Sequence, residues 1–287
     1  MVAPRVRIYR GAMARLTVLQ KILYGAALFA CAATFVLILS ARPAVLTVHF
    51  LDVGQGDAIL IETPNGRQVL IDGGRAGSGI AEELAGVLPF TDRSLDMVIA
   101  THLDTDHTGG LVEVLKGYEV VTILIAEEGG DDAADFWHAV EDEHAERILV
   151  VAPMRVLLDE DVVLEILSPT PALEGASENE RSIVAKLVYR DDSFLLTGDM
   201  EKRAEYGLLA RGVDVSADVL KVAHHGSNSS TTPAFLAAVS PKLAVVQVGK
   251  NSYGHPHADV LARLGGITIL RNDENGTISL YSTGDSF

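Results

Sequence analysis

Apolar and polar positions along this chain fall into short blocks rather than long helical stripes. Leu46 to Leu51 alternates and is rich in β-branched residues, and Ala58 to Thr63 does the same. Gln68 to Ile71 follows the turn Pro64-Asn65-Gly66. The pattern predicts three strands, the last two as a hairpin. Ile80 to Val87 has helical spacing, and the apolar run Leu95 to Ala100 predicts a buried strand. Beyond it the spacing predicts a helix to Gly117, a strand from Val120 to Ile125 and an acidic surface helix from Ala133 to Glu146. Further strands are expected at Ile148 to Val151, Val162 to Leu167, Ser182 to Tyr189 and Ser193 to Thr197. Helices from Glu201 to Ala210, Thr232 to Val239 and Val260 to Leu264 are interleaved with strands from Leu243 to Val248 and Ile267 to Leu270. Asn275-Gly276 then turns the chain into Thr277 to Tyr281. Strands leading and helices alternating with them describe an α/β layered fold.

The N-terminus breaks this pattern. Ile22 to Ser40 is nineteen residues without a charge, preceded by Arg5, Arg7, Arg10, Arg15 and Lys21. That length is just enough for a helix to cross a bilayer, and the basic leader favours a cytoplasmic N-terminus. The expectation is a leader over 1–21, a transmembrane anchor over 22–41 and a folded domain over 44–287 on the outer face of the cytoplasmic membrane. A cleaved signal peptide is the rival, disfavoured because the apolar run continues close to Arg42 without a clear small-x-small site.

Composition sharpens the picture in two respects. The single cysteine, Cys31, excludes an intramolecular disulfide and a cysteine-based zinc site. Six of the 23 basic residues and none of the 39 acids lie in residues 1–42, so the remainder carries a formal −22. Such a field repels polyanions at long range, although bound cations reverse the sign locally.

The chemistry gathers after the strand ending at Ala100. His102, Asp104, Asp106 and His107 place four possible ligands within six residues, before Gly109-Gly110 and a new helix. Histidine and carboxylate both suit first-row divalent metals. His102 and Asp104 can face one ion, and Asp106 and His107 a second. Asp72, Asp199 and His224-His225 each follow another apolar run, so one rim of a sheet can collect them. Asp199 is placed to bridge two ions. Asp72 is expected to orient a ligand histidine or the nucleophile, its alternative being a turn aspartate before Gly73-Gly74. Adjacent side chains in a strand point opposite ways, so one of His224 and His225 is expected on the metal, with His224 preferred, and the other away from the metal or lining substrate. Ser227, Asn228 and Ser229 are donors before a helix, either a phosphate seat or an ordinary turn cluster. His255 and His257 lie in a later loop, where one of them can protonate a leaving group or contact a phosphate, the alternative being an ordinary surface-loop pair. His257 joins Asp72 and Asp106 as a candidate catalytic group, and His255 is a candidate for substrate binding. His138 and His144 sit on the acidic surface helix and are expected to be incidental.

With these residues in place, the sequence resembles the metallo-β-lactamase superfamily, and within it the soluble domain of the ComEC/Rec2 family of DNA-uptake (competence) proteins. The resemblance rests on Phe50-Leu51-Asp52-Val53-Gly54-Gln55-Gly56-Asp57-Ala58, Leu70-Ile71-Asp72-Gly73-Gly74, Leu196-Thr197-Gly198-Asp199, Leu220-Lys221-Val222-Ala223-His224-His225-Gly226-Ser227 and Tyr253-Gly254-His255-Pro256-His257. It implies a four-layer αβ/βα sandwich with two divalent ions at one edge, Mn2+ or Zn2+, and a hydrolase of phosphodiesters. Two departures stand out. Asp104 stands where most members have histidine, and no histidine lies between His144 and His224 to serve as the intermediate ligand. The resemblance implies DNA or another phosphodiester as substrate, and uptake machinery as a partner. One expected span is too few for a DNA channel. Hydrolysis of smaller esters such as lactones, and a non-enzymatic accessory role, are the competing readings.

Overall fold

The computed structural model describes residues 17–40, 45–129 and 133–285. Two compact units divide it, Met1–Pro43 and Ala44–Phe287. In the first, Val18–Ser40 is a helix. Among the described residues, however, no helix is long and apolar enough to cross a membrane. A span needs about 20 predominantly apolar residues. This overturns the expected transmembrane anchor, and with it the single-pass topology, the membrane partnership and the outer-face location. Most of the basic leader, and the junction at Arg42 and Pro43, lie outside the described residues.

The second unit holds the strands β1 (Leu46–Phe50), β2 (Ile59–Glu62), β3 (Gln68–Ile71), β4 (Ser94–Ala100), β5 (Glu119–Ile125), β6 (Glu146–Leu149) and β7 (Met154–Asp159). They continue as β8 (Val162–Ser168), β9 (Val184–Tyr189), β10 (Asp192–Leu196), β11 (Val219–Lys221), β12 (Leu243–Val246), β13 (Thr268–Arg271) and β14 (Ile278–Ser282). Two seven-stranded sheets result, ordered β14-β1-β2-β3-β4-β5-β6 and β13-β12-β11-β10-β9-β8-β7. In the first, β3 to β6 run parallel; in the second, β10 to β13 do.

Layering follows from strands that are apolar on both faces. Along β2, Ile59 and Ile61 pack into a cluster with Leu164, Leu187, Phe194 and Leu196 of the other sheet. Leu60 points the other way, into a cluster with Leu84, Leu111 and Phe136 of the outer helices. The second sheet repeats the arrangement: Leu195 and Leu220 pack with Leu208, Phe235 and Val239. Strands buried on both faces read as continuous apolar runs, which is how β4 and β10 look in the sequence. Each fully buried Leu or Ile contributes roughly 1.5–3 kcal/mol. The result is the helix–sheet–sheet–helix sandwich that the resemblance implied.

Two local readings change. β7 has no counterpart among the strands expected from the sequence: it is an edge strand paired to β8 through a tight turn, with Leu157 exposed, so its apolar alternation is weak. β11 stops at Lys221, and the histidine pair beyond it is not extended. His224 (φ 51°, ψ 48°) and His225 (φ 51°, ψ 23°) are both left-handed. The rule that neighbouring strand side chains diverge therefore does not govern this pair.

Candidate metal centre

The site forms where the parallel strands of both sheets end. Asp72 follows β3, His102 follows β4, Asp199 follows β10 and His225 follows β11. Ligand sites of α/β sheets gather beyond the carboxyl ends of strands. Close backbone packing brings the first-sheet loops together. Gly73 N–H donates to His107 O at 2.8 Å, and Gly110 N–H to Gly74 O at 2.8 Å. A Cβ on Gly110 would sit 1.9 Å from Gly73 O, and one on Gly56 2.3 Å from Asp106 O. Glycine is required at both.

Asp72 is fully buried, in the left-handed region at φ 58°, and accepts three hydrogen bonds. They come from Thr101 N–H (2.8 Å), Thr101 Oγ1 (2.7 Å) and His107 Nδ1 (2.8 Å). His107 is thereby fixed with its Nε2 turned to Asp199 Oδ2, 3.4 Å away. His225 is fixed from the other side. Its Nδ1 bonds the carbonyl of Gln247 at 2.9 Å, and its Nε2 lies 3.3 Å from Asp199 Oδ2 and 3.6 Å from Asp106 Oδ2. His102 places Nδ1 3.0 Å from Thr101 Oγ1 and Nε2 3.5 Å from Asp104 Oδ2. Nδ1 is engaged in each, and Nε2 of all three histidines, with Asp199 Oδ1, is buried without a hydrogen-bond partner. An orphaned polar group costs about 1–3 kcal/mol when buried. The three free Nε2 atoms, His102 and His107 in one donor group with Asp199 and His107 and His225 in another with Asp106, fit divalent cations, whose ligand histidines characteristically use their other nitrogen in this way.

Candidate donor groups overlap. His102, His107 and Asp199 form one; Asp106, His107 and His225 a second; Asp57, Asp199 and His225 a third; Asp57, Asp72 and His107 a fourth. The cluster therefore has room for one or two metal sites.

Electrostatics follow from burial and charge. Burial alone raises the Asp199 carboxyl, but His225, His107 and Lys221 around it hold it well below the carboxylate range. Burial lowers the His225 imidazole, yet Asp199 and Asp57 outweigh that and bring it to about 9. His107 likewise is lowered by burial and raised well above its ordinary value by Asp199 and Asp72. Beneath the cage, Lys221 is fully buried. Its Nζ pairs with Asp57, donates to Gly198 O at 3.0 Å and lies 3.7 Å from Asp199 Oδ1.

Asp57 is the residue that sequence reasoning missed, because by pattern it belongs to a glycine turn. The available signal was Lys221, a charge inside the apolar run Val219 to Ala223, which demands a buried counter-ion.

The other candidates scatter. His225, not His224, enters the buried donor groups. His224 is part-exposed, with Nε2 3.4 Å from Asn179 Nδ2 and 3.7 Å from Asp199 Oδ2. Ser227, Asn228 and Ser229 form a self-contained turn. Ser227 Oγ meets Ser229 Oγ at 2.9 Å, and Asn228 Oδ1 accepts from Arg263. His257 caps the helix Ala258–Arg263, its Nδ1 accepting from Asp259 N–H at 3.3 Å. His255 lies beside His224 with ring centroids 5.6 Å apart. The cavity at the mouth, of about 690 Å³, is lined by Asp104, Asp106, Glu178 and Glu201, with Arg75, Asn179 and Tyr253.

Comparison with known proteins settles the family. The profile of the metallo-beta-lactamase superfamily matches residues 51–250, from the loop after β1 past the last of the cage residues. The chain belongs to the metallo-β-lactamase superfamily. It is 34% identical over 252 residues to ComE operon protein 3 of Bacillus subtilis, covering 80% of this chain and 32% of that protein. It is 34% identical over 223 residues to Recombination protein 2 of Haemophilus influenzae, covering 76% and 26%. Competence protein ComA of Neisseria gonorrhoeae is 33% identical over 235 residues, with 79% and 31% covered. The chain thus spans about a third or less of these relatives.

Among solved structures, the metallo hydrolase Igni18 of Ignicoccus hospitalis superposes with a TM-score of 0.52 at 15% identity, covering 82% of this chain and 98% of that one. Zn(2+)-bound PqqB of Methylobacterium extorquens gives 0.51 at 14%, covering 79% and 87%. These two carry the superfamily fold alone. Superfamily membership and the buried donor set together make this protein a metal-dependent hydrolase, homologous to competence-associated proteins.

Proposed function

We propose that the protein hydrolyses phosphodiesters, single-stranded DNA among them, with two divalent ions, Mn2+ or Zn2+. The observation that carries this is the sharing of His107 and Asp199 between adjacent donor groups. Paired ions held by one carboxylate suit in-line displacement at phosphorus, since they stabilise attacking and leaving oxygens together. In this reading His102, Asp104 and Asp199 serve one ion, and Asp106, His107, Asp199 and His225 the other. When bound, the ions supply Lewis acidity and lower the pKa of coordinated water.

The chain's own residues do the rest. Asp72 holds His107 in one tautomer through the 2.8 Å bond to Nδ1. Lys221 balances part of the charge on Asp57 and Asp199 from below. His224 and His255 stand side by side next to the cage, His224 Nε2 3.7 Å from Asp199 Oδ2. Similarity to competence proteins supports nucleic acid as substrate, and a link to uptake machinery.

A specific observation favours a second reading, hydrolysis of small esters. The mouth cavity is poor in the cations that a DNA path would need: Arg75 lines it against four carboxylates, Lys221 is buried in ion pairs, and Arg263 is bonded to the carbonyls of Ser230 and Thr231. One experiment separates the two. The full chain, loaded with Mn2+ or Zn2+, is assayed on bis(p-nitrophenyl) phosphate and on single- and double-stranded DNA. Cleavage of the diester and of single-stranded DNA supports the main reading. Cleavage of the diester with DNA untouched supports the second, and a metal-loaded protein inert toward diesters, monoesters and lactones removes both.

A further inference from the structure

Beyond the cage, an aromatic series leads out to solvent. His225 is followed by His224 (centroids 6.1 Å apart, edge-on), His224 by His255 (5.6 Å, edge-on) and His255 by Tyr253 (5.8 Å, 32° between planes). Tyr253 is 64% exposed and lines the same cavity as Asp104 and Asp106. An exposed tyrosine is ordinary by itself. This one is held in place.

Asn251 Oδ1 accepts from the N–H of Tyr253 and of His255, both at 3.1 Å. Its Nδ2 donates to Gly249 O at 2.9 Å and to His255 O at 2.8 Å. The base of the loop is pinned in turn, since a Cβ on Gly249 would lie 2.3 Å from the Gly54 carbonyl carbon. One side chain thus ties both ring-bearing residues to the scaffold, and a ring stacking on Tyr253 orders little further backbone. Preorganisation of this kind lowers the cost of binding.

We propose that Tyr253 and His255 form a stacking platform for a nucleobase of single-stranded nucleic acid, seating the adjoining phosphate at the cage. The proposal rests on the phosphodiesterase reading and adds how the strand is held. Charge favours this mode over a basic groove. Arg75 is the cation that lines the mouth cavity, against four carboxylates. Base–aromatic stacking is charge-neutral and tolerant of sequence, so it works where phosphate contacts are few. Stacking one base strengthens binding by about tenfold, the lower part of the usual range.

The test uses the full chain with Mn2+ and two strands of equal length, one bearing bases and one abasic around the cleavage position. The expected KM for the abasic strand is about tenfold higher in the wild type. In Tyr253→Ala that ratio collapses toward one, while Tyr253→Phe and Tyr253→Trp keep it. Anisotropy of a labelled strand on chelator-treated protein repeats the comparison without turnover. An unchanged ratio in Tyr253→Ala, or loss of the ratio in Tyr253→Phe, overturns the platform. Competition by thymidine 5′-monophosphate that depends on Tyr253, with no strand preference, reassigns the site to free nucleotides and overturns it as a strand subsite. Failure of the wild type on bis(p-nitrophenyl) phosphate instead removes the phosphodiesterase reading, and does so separately from the anisotropy result.

Discussion

The floor of the metal centre and its rim obey different physics. The floor consists of Asp57, Asp72, His102, His107, Asp199, Lys221 and His225, all nearly or fully buried. Every one is held by another member, by Thr101 or by a backbone carbonyl. The rim consists of Arg75, Asp104, Glu178, Glu201 and Tyr253, part-exposed or exposed. Rim contacts are looser: Arg75 Nη2 stands 4.0 Å from Asp106 Oδ2. Charges in a low-dielectric floor interact strongly and tolerate no missing partner, whereas exposed pairs are worth about 0–1 kcal/mol. Three of the four donor groups lie wholly in the floor, and the rim lines the mouth cavity.

The largest effect should come from Asp199, whose carboxylate meets both histidines of the shared cage. Asp199→Asn keeps the volume and removes the charge. The expected loss of bis(p-nitrophenyl) phosphate hydrolysis exceeds the roughly 10–100-fold that an outer partner costs, and bound metal falls with it. Steady-state rates beside metal analysis of the purified protein check this. Activity within tenfold of wild type would remove Asp199 from its bridging position.

Lys221→Met tests the floor through folding. It leaves Asp57 and Asp199 buried without their counter-ion, and breaking such a pair costs about 3–5 kcal/mol. Urea denaturation of the chelated protein should show that loss. The double variant Lys221→Met with Asp57→Leu should recover part of it, because one of the stranded charges leaves with its partner. No recovery would mean that the lysine acts by packing rather than by charge.

Asp72→Asn is expected to lower metal affinity or rate by roughly 10–100-fold. On the proposed reading the lost group orients His107 through its Nδ1 and does not hold the shared ions. A loss as large as that of Asp199→Asn would place Asp72 among the direct ligands.

A smaller and signed effect follows from the imidazoles. In the metal-free protein, burial lowers His225 but Asp199 and Asp57 raise it from 6.5 to about 9. A raised folded-state value adds stability that is fully present below 6.5 and disappears as pH climbs through about 9. His107 shifts in the same direction. Metal binding requires both rings neutral, so its contribution grows over the same window. Thermal melts should therefore show the chelated protein weakening from pH 6.5 to about 9 and the loaded protein gaining relative to it. Parallel curves for the two forms would break the link between these histidines and the metal.

The smallest effect is expected at the rim-side loop. His257→Ala removes a helix cap, worth about 0.5–2 kcal/mol, and should move the denaturation midpoint without emptying the metal sites. A large fall in bound metal would show that His257 reaches the cage.

The sequence alone determined half of the centre. His102, Asp106 and His107 fall between a buried strand and a glycine-started helix, and local geometry brings each into a donor group, while Asp104 enters none. The α/β layering was equally legible, because strands buried on both faces leave continuous apolar runs, whereas the four-layer αβ/βα arrangement came from the family resemblance. The other half needed the tertiary structure. Asp57 reads as a turn residue until Lys221, 164 positions later in the chain, is brought against it by the packing of the two sheets. The choice of His225 over His224 turns on two left-handed residues after β11, which no periodicity encodes. The N-terminal run shows the converse: its charge-free length suggested a span, yet among the described residues no helix is long and apolar enough to cross a membrane. His257 was legible only as a histidine in a late loop; whether its ring faces the cage or the end of a helix depends on the backbone path around it, and here the helix takes it. Local pattern fixes what a residue can do, and the long-range register of two sheets decides what it meets.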